Sequence, residues 1–317
     1  MNSNLNHPGC VFTSRLYESV QDLQQMLDLL MEARAQTSDW RYAHVGELLF
    51  NFFMVACHLN PLEHIRLWFH GQQMIGFAML AEDPNFDFQV LPAYEWQGIE
   101  AEAWLWAEDR IAELRKLDEK RWGEPCVSGA RQDNPQRMAF LEQCGFRQGG
   151  QFSEVNMIRS LEEPIPVVKI PAGCQVRSMG GVEDLPNRAE AQREVWYPWT
   201  VGDVSDENYA YFMTLPGYDL DLDVVGVAPD GVIASYVNGW RDPVNKIGDF
   251  GPLGAREAYR GQGLTRAVLT ECLRRMQAHG MNRVCISTGV TNTPAIRLYE
   301  SVGFEIVNKY LDYIKIE

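Results

Sequence analysis

Residues 248–269 read GDFGPLGAREAYRGQGLTRAVL, and they decide the fold. The apolar run carries a strand to about Ala255, a turn follows, and Arg260-Gly261-Gln262-Gly263-Leu264-Thr265 opens a helix. Glycines at a helix start let the backbone approach a ligand closely, and the unpaired N–H groups and helix dipole there favour an anion. Arg260 and Arg266 add positive charge to a chain whose formal net charge is −15. The stretch therefore predicts a diphosphate cradle between a strand and a helix. It is not the dinucleotide fingerprint, because Arg266 stands where the third glycine of GxGxxG belongs, and the chain has no GxxxxGK[ST] phosphate loop.

Working outward, residues 134–146 (NPQRMAFLEQCGF) repeat at residues 292–304 (NTPAIRLYESVGF), an offset of 158. Each Asn follows a β-rich run and opens a short amphipathic helix ended by Gly. At the same offset Met74-Ile75-Gly76-Phe77 falls on Val232-Ile233-Ala234-Ser235, and each run follows a turn signal, at 70–72 and 229–231. Two distant matches at one register indicate a duplication. Each half has a strand, helical segments (22–35 and 45–57; 182–195 and 206–214), a hairpin, a third strand, a long helix (101–116; 264–278), a strand, a short helix and a final strand. That order predicts an α+β fold with a mixed sheet covered by helices. The expected domains are 1–163 and 172–317, with a linker at 164–171 where Pro164, Pro166 and Pro171 interrupt any element.

Together the two motifs resemble the GCN5-related N-acetyltransferase (GNAT) superfamily. Its hallmark [RQ]-x-x-G-x-[GA] is met by Arg260 and Gly263, with Thr265 in place of the last small residue. Its second hallmark is met by Asn292, Leu298-Tyr299 and Gly303-Phe304. The resemblance covers nearly all of residues 171–317. It implies two tandem acyl-CoA N-acyltransferase folds and acetyl-CoA as co-substrate. Leu253, Gly254 and Ala255 would line the cofactor's pantetheine arm, with Gly254 at a bulge and a backbone N–H polarising the thioester carbonyl. Arg260, Gly261, Gln262, Gly263, Leu264 and Thr265 would hold the diphosphate, and Asn292 would hydrogen-bond the arm. Tyr299 would protonate the leaving thiolate. Asp249, four residues before Leu253, would take the amine's proton, or else be an exposed carboxylate at a strand start.

The 158 offset places Arg260 on Glu102, Gly261 on Ala103, Gln262 on Trp104, Gly263 on Leu105 and Tyr299 on Leu141. A carboxylate would repel a diphosphate, so the first half is expected to be a degenerate copy without the cofactor site. In this fold the acceptor enters beside Glu194, Trp196, Tyr197, Trp199, Tyr236 and Trp240, aromatics with a carboxylate that suit a cationic or partly apolar acceptor. Asp219, Asp221 and Asp223 read as a solvated acidic loop, or else as a run that attracts cations.

The acidity argues against nucleic acid and anionic membrane partners. Seven cysteines, an odd number without CxxC spacing, fit reduced thiols in a cytoplasm. Residues 1–10 lack a signal-peptide apolar run, and the richest apolar stretch, 48–59, is too short to span a bilayer. Six histidines show neither HExxH nor a Cys/His spacing, so no metal is expected. The expected activity is acetyl transfer from acetyl-CoA to a primary amine of a small molecule by a monomer or homodimer. A coenzyme A sensor without turnover and a protein N-acetyltransferase are the alternatives.

Overall fold

The computed structural model describes residues 12–37, 41–57, 59–81, 84–123, 126–196 and 204–315. In chain order the first half carries β1 (Thr13–Leu16), α1 (Val20–Thr37), α2 (Val45–Leu48), a π-helical turn (Leu49–Val55), α3 (Pro61–His64), β2 (Ile65–His70), β3 (Gln73–Ala81), β4 (Asn85–Val90), α4 (Ile99–Leu117), β5 (Cys126–Arg131), α5 (Pro135–Gln143) and β6 (Phe146–Ser160). The second half carries β7 (Gln175–Ser178), α6 (Leu185–Trp196), α7 (Asp206–Phe212), β8 (Asp223–Val227), β9 (Ile233–Asp242), β10 (Ile247–Ala255), α8 (Leu264–Ala278), β11 (Arg283–Gly289), α9 (Thr293–Glu300) and β12 (Glu305–Lys315). The mixed α/β architecture agrees with the sequence reading. Between Leu161 and Cys174 there is neither helix nor strand.

The chain folds into two compact units that do not follow sequence order. Unit 1 comprises Met1–Ala43, Leu59–Gln151 and Leu311–Glu317; unit 2 comprises His44–His58 and Phe152–Tyr310. In unit 1, β1 to β4 form an antiparallel run, β5 joins β4 in parallel, and the strand next to β5 is β12. α4 buries Ile99, Ala103, Ala107, Ile111 and Leu114, the spacing of one helical face. Each such large aliphatic side chain contributes ~1.5–3 kcal/mol.

In unit 2 the strand order is β6-β11-β10-β9-β8-β7. Here the neighbour of β11 is β6, paired antiparallel from Arg283↔Ser160 to Gly289↔Glu154. The strand beside the fifth strand of each copy thus comes from the other half of the sequence. Alternation reveals a strand and its buried face, but not which equivalent edge it will join. α8 buries Leu264, Ala267, Val268, Cys272, Leu273 and Met276 against one face of the sheet. It lies so close that a Cβ on Gly239 would meet the Met276 Cε at 2.5 Å. The opposite face carries α6 and α2. Residues 45–57 are helical as expected, but they belong to unit 2: α2 and the π turn, closed by Ala56 N–H donating to Asn51 O at 3.3 Å, pack there through Phe50 against Trp196.

The two units repeat a device that the motif comparison did not use. Arg15 is paired with Asp22, and its Nη1 donates to Leu16 O. In unit 2 Arg177 is paired with Asp184, and its Nη1 donates to Ser178 O. In each case the carboxylate also accepts a backbone N–H four residues before it, from Glu18 or Gly180. Asp221 is exposed as a solvated loop requires, but Asp219 is half-buried and Asp223 buried, which corrects the sequence reading for those two. Asp219 pairs with Arg241 at 2.7 Å, and Asp221 with Arg275 at 3.0 Å and His279 at 2.9 Å. Asp223 is fully buried against Arg188. Among the described residues no helix is long and apolar enough to cross a membrane, and Cys57, Cys144, Cys174, Cys272 and Cys285 form no disulfide.

Candidate active site

β10 pairs with β11 only over Ile247–Asp249, opposite Arg283–Cys285, whereas it follows β9 to its end. The two parallel strands therefore part after Asp249 and leave one edge of β10 without a strand. Arg256 N–H donates to Ala234 O, so by the alternation of an antiparallel ladder Leu253 and Ala255 turn their amide edges away from β9, towards that opening. The ladder's register shift lies between Phe250 and Leu253, over Gly251-Pro252, and not at Gly254 as expected. Gly254 is required for another reason: a Cβ there would stand 2.6 Å from Val195 Cγ1 and 2.7 Å from the Tyr236 hydroxyl.

Beyond the opening, Gly261 (φ 74°) and Gly263 (φ 86°) both adopt the left-handed conformation, and a Cβ on either would meet nothing within 4 Å. Gly263 caps α8 with no side-chain hydrogen bond, and the first bond of the helix runs from Ala267 N–H to Gly263 O. The amides of Leu264, Thr265 and Arg266 are thereby left to a ligand. The turn is braced by Gln262 Nε2 donating to Ala258 O and Arg260 Nε donating to Ala255 O. Arg260 is exposed, while Arg266 Nη2 donates to Ser301 O. Open space, unpaired amides and positive charge fit a diphosphate.

Tyr299 is 4% exposed within the core beneath α8, its ring 6.1 Å from Phe304. Burial pushes its phenol well above the usual range, and its hydroxyl has no hydrogen-bond partner among the described residues. It therefore keeps its proton through neutral pH. Asn292 caps α9, accepting from Ala295 N–H at 3.4 Å and donating to Thr288 Oγ1 at 3.1 Å. Asn134 caps α5 in the same way, accepting from Arg137 N–H at 3.1 Å.

Asp249 is buried, not the exposed carboxylate that was one of its two readings. Its Oδ1 accepts from the Cys285 thiol at 3.3 Å, and its Oδ2 lies 3.9 Å from His44 Nδ1. His44 Nδ1 accepts from Gly46 N–H at 3.0 Å and its Nε2 faces Ile247 O at 3.3 Å, which assigns the neutral Nε2–H tautomer. Sequence reasoning missed His44; its one signal is the capping box it forms with Glu47. It also missed Asn156 of β6, buried opposite Ser287 with its Oδ1 unpaired, a position that only the strand exchange supplies. Of the acceptor residues, Glu194 pairs with Arg256 at 3.2 Å. Trp196 Nε1 donates to the Tyr236 hydroxyl at 3.1 Å, and Trp240 Nε1 donates to Gly251 O. Tyr197 and Trp199 lie outside the described residues.

The corresponding turn of unit 1 corrects the alignment. α4 begins at Ile99 with Gly98 (φ 111°) as its cap, so the partner of Gly263 is Gly98 and not Leu105. The local offset is 165: Arg260, Gly261 and Gln262 fall on Glu95, Trp96 and Gln97, not on Glu102, Ala103 and Trp104. Gln97 Nε2 donates to Ala93 O as Gln262 does to Ala258, and Trp96 holds a positive φ of 61° where Gly261 has 74°. Glu100, at the place of Thr265, is 2% exposed and accepts Trp96 N–H at 2.7 Å. Burial raises its pKa, opposed by the amides of Trp96, Glu100 itself and Gly98. An internal carboxylate occupies this cradle, and the Trp96 ring packs against Phe140. Glu102 instead accepts from Trp68 Nε1, and Trp104 packs between Phe86 and Phe146.

Residues 188–304 match the acetyltransferase (GNAT) family. A mycothiol acetyltransferase of Acidothermus cellulolyticus is 30% identical over 47% of this chain and 50% of its own, so the chain spans about half the length of that relative. Another, of Thermobispora bispora, is 26% identical over 75% of this chain and 79% of its own. A tandem GNAT protein from the clavulanic acid biosynthesis pathway has a similar fold, with a TM-score of 0.61 at 17% identity over 96% of this chain and 97% of its own. With the strand opening, the paired left-handed glycines and these matches together, residues 188–304 of the chain belong to the acetyltransferase (GNAT) family, and the whole chain has the fold of a tandem GNAT protein.

Proposed function

We propose that this chain transfers an acetyl group from acetyl-CoA to a primary amine of a small molecule, using unit 2 alone for the cofactor. The observation that carries the reading is the bare edge of β10 running into an uncapped, glycine-lined helix start. The names of the two bacterial relatives support a small-molecule acceptor. Acetyl-CoA supplies an activated acyl group. Arg260 to Thr265 hold its diphosphate, Leu253 and Ala255 offer amide edges to its arm, and Asn292 adds a side-chain amide beside the cap it forms. Most of the acceleration comes from alignment of the two substrates.

Asp249 serves as base, directly or through a water, since the amine must lose a proton to attack. Tyr299, kept protonated by burial, returns a proton to the leaving thiolate. The duplicated halves 1–163 and 172–317 have diverged in role, the first having lost the cradle to Glu100 and Trp96. The test is thiol release from acetyl-CoA with a panel of small primary amines. Turnover with at least one amine is expected, abolished in Gly263→Glu. Tight acetyl-CoA binding with no thiol release for any amine would refute the reading.

A further inference from the structure

Tyr236 is fully buried, yet its hydroxyl is half used. The oxygen accepts from Trp196 Nε1 at 3.1 Å, and its own proton has no acceptor among the described residues. A buried donor without a partner costs ~1–3 kcal/mol, so its retention needs a reason. The ring is held firmly. Arg188 lies over its face at 3.7 Å and is itself fixed by Asp223 at 3.2 Å, Asn238 Oδ1 at 2.5 Å and Gln192 Oε1 at 3.1 Å. Asp223 in turn accepts from the Tyr209 and Tyr218 hydroxyls at 2.6 and 2.9 Å. This network aims the hydroxyl over Gly254, opposite Tyr236 in the ladder, where a Cβ would come within 2.7 Å of it. Burial pushes the phenol up to about 12, against the opposing charge of Arg188 and the Trp196 bond, so the proton is present throughout any neutral assay.

We infer that the Tyr236 hydroxyl, passing over β10 through the gap at Gly254, donates its free proton to the carbonyl oxygen of the bound acetyl thioester. This rests on the proposed use of acetyl-CoA and adds a side-chain donor to the backbone amides of β10. Such a bond favours an acyl thioester over a thioether, and it strengthens as negative charge develops on that oxygen.

The experiment compares calorimetric affinities for acetyl-CoA and S-ethyl-coenzyme A, the thioether that lacks the carbonyl. The native chain should prefer acetyl-CoA. Tyr236→Phe should reduce that preference about fivefold while S-ethyl-coenzyme A affinity and the melting temperature hold. Gly254→Ala, which pushes the hydroxyl aside while keeping it, should lower the same ratio. A preference unchanged within about twofold in a folded Tyr236→Phe protein overturns the inference and leaves the acetyl-CoA reading standing. Failure of the native chain to bind either compound overturns both.

Discussion

Unit 1 carries its own counter-experiment to the cofactor site, and it can be transplanted. Thr265 and Glu100 occupy the same second position of α8 and α4, each behind a left-handed glycine cap. Thr265→Glu would bring a carboxylate to the amides of the α8 start, as Glu100 is brought to those of Trp96, Gly98 and itself. Two charges 4 Å apart repel by ~1 kcal/mol in water and ~4 kcal/mol at an effective dielectric of 20. Thr265 is half-buried, between these limits. Against a diphosphate that also loses its amide donors, the penalty is ~3 kcal/mol, or about 100-fold in coenzyme A affinity. Thr265→Gln has nearly the same shape without the charge and should stay within about tenfold of the native chain. The assay is titration calorimetry with coenzyme A on proteins whose melting curves show them folded. A Thr265→Glu protein that binds within about threefold of the native chain would refute the assignment of this turn to the diphosphate.

Tyr299→Phe should lower kcat by about tenfold or more at unchanged acetyl-CoA affinity. Because the native phenol stays protonated, the ratio of native to variant rates should be flat from about pH 6 to 9, and a ratio that collapses within that range would assign the acid elsewhere. Arg188→Met leaves Asp223 buried without its cation and should cost ~3–5 kcal/mol in denaturant unfolding; a loss below ~1 kcal/mol would mean that the network is not a stabilising unit. Hydrogen bonding from Arg177 holds the Asp184 carboxyl below its usual range. A depressed carboxylate contributes stability above its unfolded pKa and loses it as pH falls through the folded one. The stability difference between the native chain and Asp184→Asn should therefore be constant from about pH 8 to 5 and shrink below about pH 4; no shrinkage would show the pair to be idle.

The glycine turn ahead of α8 was legible because its physics is local. Gly261 and Gly263 mark left-handed positions, Leu264 begins the apolar stripe, and no distant residue is needed to read either. The duplicated Asn134 and Asn292 were legible for the same reason, since capping involves only the next three residues. The unit 1 cradle was misread because one offset was carried through the whole repeat. The stretch from Ile75 to Gly98 is seven residues shorter than that from Ile233 to Gly263, three of them in β4, and the register recovers before Asn134 through a stretch seven residues longer, four of them in α4. The burial of Asp249 was not legible, because Gly46 and His44 come from some 200 positions away and pack on it only once α2 joins unit 2. The acidic triplet at Asp219, Asp221 and Asp223 misled for a related reason: its partners Arg188, Arg241 and Arg275 stand on α6, β9 and α8.

The crossing of the last strands bears on how such a gene can change. A break anywhere in 164–171 would yield one polypeptide with β5 lacking its neighbour and another with β11 bare, each offering an open backbone ladder to any passing chain. Neither product is a transferable module. The first half cannot be shed by deletion, because it furnishes β6 to the sheet that the second half needs.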